Sequence, residues 1–261
     1  MLLLDALNLA AVAEIVMQPR TWELAVIIVV GGVVRGFSGF GGALIFIPLA
    51  SALVGPKLAI PIFYLIDLVT ATPYGLRMVP KASLREIGPM LAGSWIAAPF
   101  GGWILVTIAP DTLRWATSLM VLMMVGLLAS GWRYRDEPRP ALSFGLGGTA
   151  GLLGTATGIS GPVIIAYFLG SRASAELVRA NIMAFYALAA LGTDVVFFFN
   201  GLFNLEALVY AALAAPLYAA GLTLGTRVFG KSSDQTYRRI AFVLIALSAI
   251  TGMPPVSALI R

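Results

Sequence analysis

The sequence predicts an all-α polytopic membrane protein made of two inverted-topology repeats, each a Gly-broken re-entrant helical hairpin followed by three transmembrane helices. Three observations predict it. Hydrophobic residues make up 59% of the 261 residues and charged ones 11%, with a mean hydropathy of +0.94, whereas a soluble domain carries about 25% charged residues. Apolar stretches long enough to cross a bilayer recur along the whole chain. Two of those stretches are broken by glycine runs that superimpose after a shift of 119 residues.

The elements follow in order along a single membrane domain, residues 1–261. Residues 1–21 place Asp5 and Glu14 among apolar side chains and lack the basic start of a cleaved leader, so they read as an N-terminal amphipathic segment. Repeat 1 covers 22–130. It opens with an apolar region from Trp22 to Val54, interrupted at Gly36-Phe37-Ser38-Gly39-Phe40-Gly41-Gly42, and continues with spans at 59–76, 87–108 and 113–130. A basic linker occupies 131–140. Repeat 2 covers 141–254: a region from about Leu142 to Leu169, broken at Thr155-Ala156-Thr157-Gly158-Ile159-Ser160-Gly161, then spans at 178–199, 206–227 and 238–254.

Each broken region is too short for two full crossings of about 20 residues, yet long for one straight helix. The positive-inside rule separates a broken span from a hairpin, because only a span changes the side of everything after it. If both regions span, the loop Lys and Arg divide eight against eight. If both are hairpins, loops 77–85, 131–140, 170–179 and 227–239 collect twelve on one face, against Arg20, Lys57, Arg114 and Arg261 on the other. The asymmetry predicts hairpins, with those four loops cytoplasmic and both termini outside, in a bacterial inner (cell) membrane. One hairpin and three spans per half then turn the second half upside down. The 119-residue shift lays Ser38-Gly39-Phe40-x-Gly42 on Thr157-Gly158-Ile159-x-Gly161, and Ala97-Ala98-Pro99 matches Ala214-Ala215-Pro216 at nearly the same offset.

Composition also excludes function classes. With no cysteine there are no disulfides, thiolate metal sites or thiol nucleophiles, and with no histidine the commonest base and metal ligand are gone. No metal and no cofactor is expected. The net charge of +5 sits in loops between spans, which points to lipid and not to nucleic acid. The Gly runs are not set in a phosphate-binding or dinucleotide fingerprint.

Non-helical backbone at membrane depth has to be enclosed by protein or line a polar cavity. Where a helix restarts after such a break, its first N–H groups lack partners and carry about half a positive charge, which attracts an anion. Gly39, Gly41, Gly42, Gly158 and Gly161 would let backbone approach a ligand, and Ser38, Thr157 and Ser160 offer hydroxyls. Arg35 precedes the first run at a depth where an unpaired charge costs about 2.5–3.5 kcal/mol. It is expected either to contact the anion or to pair with Asp67, which in turn is a candidate for proton coupling. Asn181 is the best amide donor toward the cavity. Asp194, near the far end of its span, reads as solvated. Small-residue helix packing would also account for the glycines.

A rival class comes from Gly36-Phe37-Ser38-Gly39 and Gly158-Ile159-Ser160-Gly161, which resemble the G-x-S-G of intramembrane serine proteases. Their serine needs a base, and Lys57, Lys81 and Lys231 all fall in loops. An enzyme is therefore not expected. A passive anion channel shares the architecture without the gated site.

Gly36-x-x-Gly39-x-Gly41-Gly42 followed by Pro48, and Gly151-x-x-Gly154-x-x-x-Gly158-x-x-Gly161-Pro162, resemble the two Gly-rich signatures of the TauE/SafE family of bacterial sulfite and sulfonate exporters, and the resemblance covers residues 22–252. It implies a secondary-active transporter of a small anion: sulfite, a sulfoacetate-like organosulfonate or a related carboxylate. Ala43, Ser160 and Pro162 depart from the commoner all-glycine pattern. Which anion, and whether the carrier is a monomer or a homodimer, stay open.

Overall fold

Apolar residues that cannot face water, joined by turns that end in glycine or proline, give a structure in which every regular element is helical among the described residues. A computed structural model describes residues 9–38, 41–130, 139–160, 164–165, 167–168, 173–229 and 234–260. The helices are α1 (Leu9–Met17), α2 (Pro19–Ser38), α3 (Gly42–Val54), α4 (Pro56–Thr70), α5 (Thr72–Leu76), α6 (Leu84–Thr107), α7 (Pro110–Ser130), α8 (Pro140–Thr157), α9 (Ala175–Phe199), α10 (Leu205–Phe229), α11 (Asp234–Gly252) and α12 (Pro254–Ile260). Proline at the first turn of α2, α4, α7, α8 and α12 starts them where its missing N–H costs nothing.

Among the described residues, α6, α9 and α10 are each long and apolar enough to cross a membrane, and α4 with the helical turns after it forms a fourth candidate. The chain is thus a multi-pass membrane protein. That fourth span is bent by 51° where a single straight helix is expected over 59–76. Pro73 removes one rung of the backbone ladder, and the chain resumes as α5 and a 3-10 turn at Val79–Lys81. Other spans match expectation to within a few residues, while α12, entered through Pro254-Pro255, is an addition.

Packing fixes helix directions. Gly31 abuts Gly42 and Phe46, and Gly42 abuts the Arg35 side chain, so α3 doubles back along α2. At 20 residues α2 runs about 30 Å and α3, with 13, about 20 Å. In the second half the Ser143 and Tyr167 hydroxyls are 2.6 Å apart. From Ser143, α8 carries the chain about 21 Å to Thr157, so it has returned that distance by Tyr167. Both α8 and α9 run parallel to α6. Gly147 and Gly151 meet Met90 and Ser94; Asn181, Leu188 and Val196 meet Glu86, Trp95 and Gly102.

The two most intimate helix pairs are α6 with α8 and α2 with α10. In each, the first long helix of one half lies parallel to the second span after the hairpin of the other. Glycines allow it: Gly36 and Gly225 meet Cα to Cα, Gly32 lies on the Tyr218 carbonyl, and Gly93 on that of Phe144, with no room for a Cβ. Across the interior, Phe63 packs tilted on Phe46 at 5.7 Å and edge to face on Tyr218 at 6.1 Å.

Candidate anion site

The chain break between α2 and α3 ends at Gly41, whose φ of 101° suits only glycine and lets α3 start facing back along α2. Among the described residues no side chain caps that start, which leaves the first N–H groups of α3 for a ligand. Arg35, in the last turn of α2, lies over this end with its Cδ against Gly42. The Tyr218 hydroxyl, carried by α10 and wholly buried, also reaches Gly42 and lies at the Arg35 guanidinium. Three positive features therefore converge: a guanidinium, a helix N-terminus and a phenol.

Asp67 on α4 faces them. Its Oδ1 lies 3.2 Å from an Arg35 Nη, with side-chain exposures of 21% and 27%. The pair is enclosed but not sealed, and Asp67 Oδ1 makes no hydrogen bond of proper geometry. A guanidinium has five N–H groups in a fork, so one carboxylate oxygen leaves it donors for a second acid.

The second glycine run lies elsewhere. Gly158, φ 73°, ends α8 and packs against Ile47 and Ile60, in the middle of α3 and near the start of α4. Thr157 is buried and donates to its own Leu153 carbonyl at 2.7 Å. Ser160 lies beside Gly154, whose carbonyl accepts the Tyr64 hydroxyl at 3.1 Å. Thr155 and Thr193 share a hydroxyl bond of 2.9 Å. Asn181 is fully buried and its amide is engaged: Oδ1 accepts the Ser83 N–H at 2.7 Å, and Nδ2 donates to Glu86 at 2.8 Å. The structure thus joins Arg35, Gly41, Gly42 and Asp67 in one place, gathers Thr157, Gly158 and Ser160 in a second, and sets Asn181 with the start of α6. The Ser38 side chain, Gly39 and Gly161 lie outside the described residues.

Two residues emerge that sequence alone did not single out. Tyr218 sits in a span that reads as ordinary, and only its position beside Gly42 marks it. Asp194, expected to be solvated, is 8% exposed, because Gly102 and the end of α8 close over that level of α9. Phe197 is fully buried against Tyr64 at 5.2 Å, while Phe198 and Phe199 are exposed. An apolar cavity of about 250 Å³ opens near Trp22, Phe46, Tyr210 and Leu217, away from Arg35. It offers a charged ligand no partner.

A family model described as "Sulfite exporter TauE/SafE" matches residues 24–252. Among curated proteins the chain is 28% identical over 151 residues to the probable sulfite/organosulfonate exporter TauE of Cupriavidus necator, a stretch covering 55% of this chain and 59% of that protein. No solved structure matches.

Proposed function

Because the chain belongs to the TauE/SafE family of sulfite exporters, we propose that it is a secondary-active carrier that binds a small anion, sulfite or an organosulfonate, against Arg35 and the N-terminus of α3. One observation carries this reading: inside a membrane bundle, a guanidinium, a helix start and a buried phenol converge on one spot. Each favours an oxyanion over a cation or a neutral solute. A family of transporters, and a Ser160 flanked by Gly154 and Tyr64 instead of a lysine, both stand against a protease.

Asp67 holds the guanidinium in place while the site is empty and yields part of it to the arriving anion. The family's description supports a sulfur oxyanion as the cargo and export as its direction. The antiparallel course of α2 and α3, and the parallel course of α6, α8 and α9, support two hairpins in inverted halves: two broken spans would make α9 antiparallel to both α6 and α8. Rocking of helix groups about the site would give alternating access. Ser38, Gly39, Thr157, Gly158, Ser160 and Gly161 are assigned to the lining that the anion passes.

The test is flux of labelled sulfoacetate and of sulfite in proteoliposomes. Arg35→Ala is expected to lose at least about tenfold, the scale of one charge-assisted hydrogen bond, and Arg35→Lys to keep part of the activity, since it keeps the charge and loses the fork. Unchanged flux in a folded Arg35→Ala protein removes the central claim.

A further inference from the structure

Asp194 is a buried carboxylate with neither oxygen hydrogen-bonded among the described residues. It has 8% of its surface exposed, and no ion pair reaches it among the described residues. Its neighbour Thr193 is tied to Thr155 on α8, and Phe197, one turn on, packs against the Tyr64 ring. An ionised carboxylate left in this setting has no compensation for the water it gave up. A carboxylic acid fits.

The groups facing it can be named. From α4 come Tyr64 and Asp67, which Asp194 feels electrostatically. Tyr186 on α9 itself lies between Arg35 and Tyr64 in the same field. At this level α6 and α8 present Gly102 and Thr155, with no titratable side chain. α5 meets α9 two turns earlier, at Met183 and Ala187, and beyond it Tyr74 accepts from Arg179 at 3.4 Å. Among the described residues, the charged groups that meet here are Asp67, Asp194 and Arg35, and Arg35 is paired with Asp67.

From this geometry we infer that Asp194 is the proton-carrying group of the transport cycle: it holds a proton while it is closed off from water and while the anion sits on Arg35, and it exchanges that proton with water when the site opens and the anion leaves. The inference rests on the anion-carrier reading. An anion at Arg35 adds a second negative charge to a space where Asp67 already supplies one, and a neutral Asp194 removes the third. By reciprocity, a proton on Asp194 strengthens anion binding by the same factor. Asp67 is paired with Arg35 and is not the carrier.

Two measurements test it on the full-length protein. Dicyclohexylcarbodiimide adds only to a protonated carboxyl group in apolar surroundings, giving an acylurea that peptide mass spectrometry locates. Asp194 is expected to be modified, more at pH 6 than at pH 8.5, with Asp67 unmodified. No adduct at Asp194, or equal yield at both pH values, overturns the assignment without needing a variant that folds. The second measurement is binding of isethionate, a monoanion at every pH used. Its affinity is expected to rise up to about tenfold per pH unit as pH falls, one proton being linked, and to lose that dependence in Asp194→Asn. A pH dependence that survives in Asp194→Asn overturns the inference. Failure of isethionate, sulfite and sulfoacetate to bind at any pH, with Asp194 still modified, removes the anion-carrier reading and leaves the proton site standing.

Discussion

At the scale of single residues, the site is a matter of what surrounds each polar group. Arg35 was legible because a charge in an apolar run has few excuses, and its partner Asp67 because it is the one acid in the middle of its span. Tyr218 and Asp194 were not, since a phenol in a span fits an interface as well as a cavity, and distance from a helix end does not measure distance from water. Tyr218→Phe removes one hydroxyl and leaves the ring that packs on Phe63. Anion affinity is expected to fall about tenfold, the worth of a hydrogen bond to a charged partner, with an unchanged melting midpoint in detergent. Titration of sulfite or isethionate into the purified variant checks both halves of that expectation. For Asn181 the structure adds what sequence could not show: an amide at membrane depth reads as a ligand donor, and here it bonds to Ser83 and Glu86 and joins the start of α9 to the start of α6.

Among the elements, the glycines separate into those that hold helices together and those that bend the chain. Hydrophobicity alone located the spans, because bilayer thickness sets their length. It did not show the bend after α4, since proline is tolerated inside spans and its presence does not announce a kink. Nor did it show which glycines touch a neighbour. Gly147 lies on the backbone of Met90, and any side chain there drives α8 off α6. Gly147→Leu is expected to destabilise by about 1–3 kcal/mol or to prevent folding, lowering the yield of monodisperse protein in size-exclusion chromatography. Gly126, in α7, has open space around its Cα. Gly126→Ala is expected to stabilise by about 0.4–1 kcal/mol, helix propensity being its main effect, which thermal unfolding in detergent measures.

For the whole molecule, the charge asymmetry of the loops and the helix directions lead to one topology by independent routes. The first depends on Lys and Arg in short segments, the second on which backbones touch. Since the chain has no cysteine, single cysteines at Ala82 and Ser174 should react with an impermeant maleimide only from the cytoplasmic face. Labelling from the outside refutes the two-hairpin arrangement. The glycine runs suggest a duplication, but not which helices pack against which, because an offset in sequence says nothing about contacts between the two segments.

That packing decides what a moving part of this protein is. Helices α2 and α10 touch backbone to backbone, as do α6 and α8, so each pair slides or tilts as a unit although its members come from different halves of the gene. The rigid bodies of transport are then hybrids. A polypeptide cut within residues 131–138 would leave two fragments, each with a glycine seam shaped for the other's helix, and neither would be whole until they met.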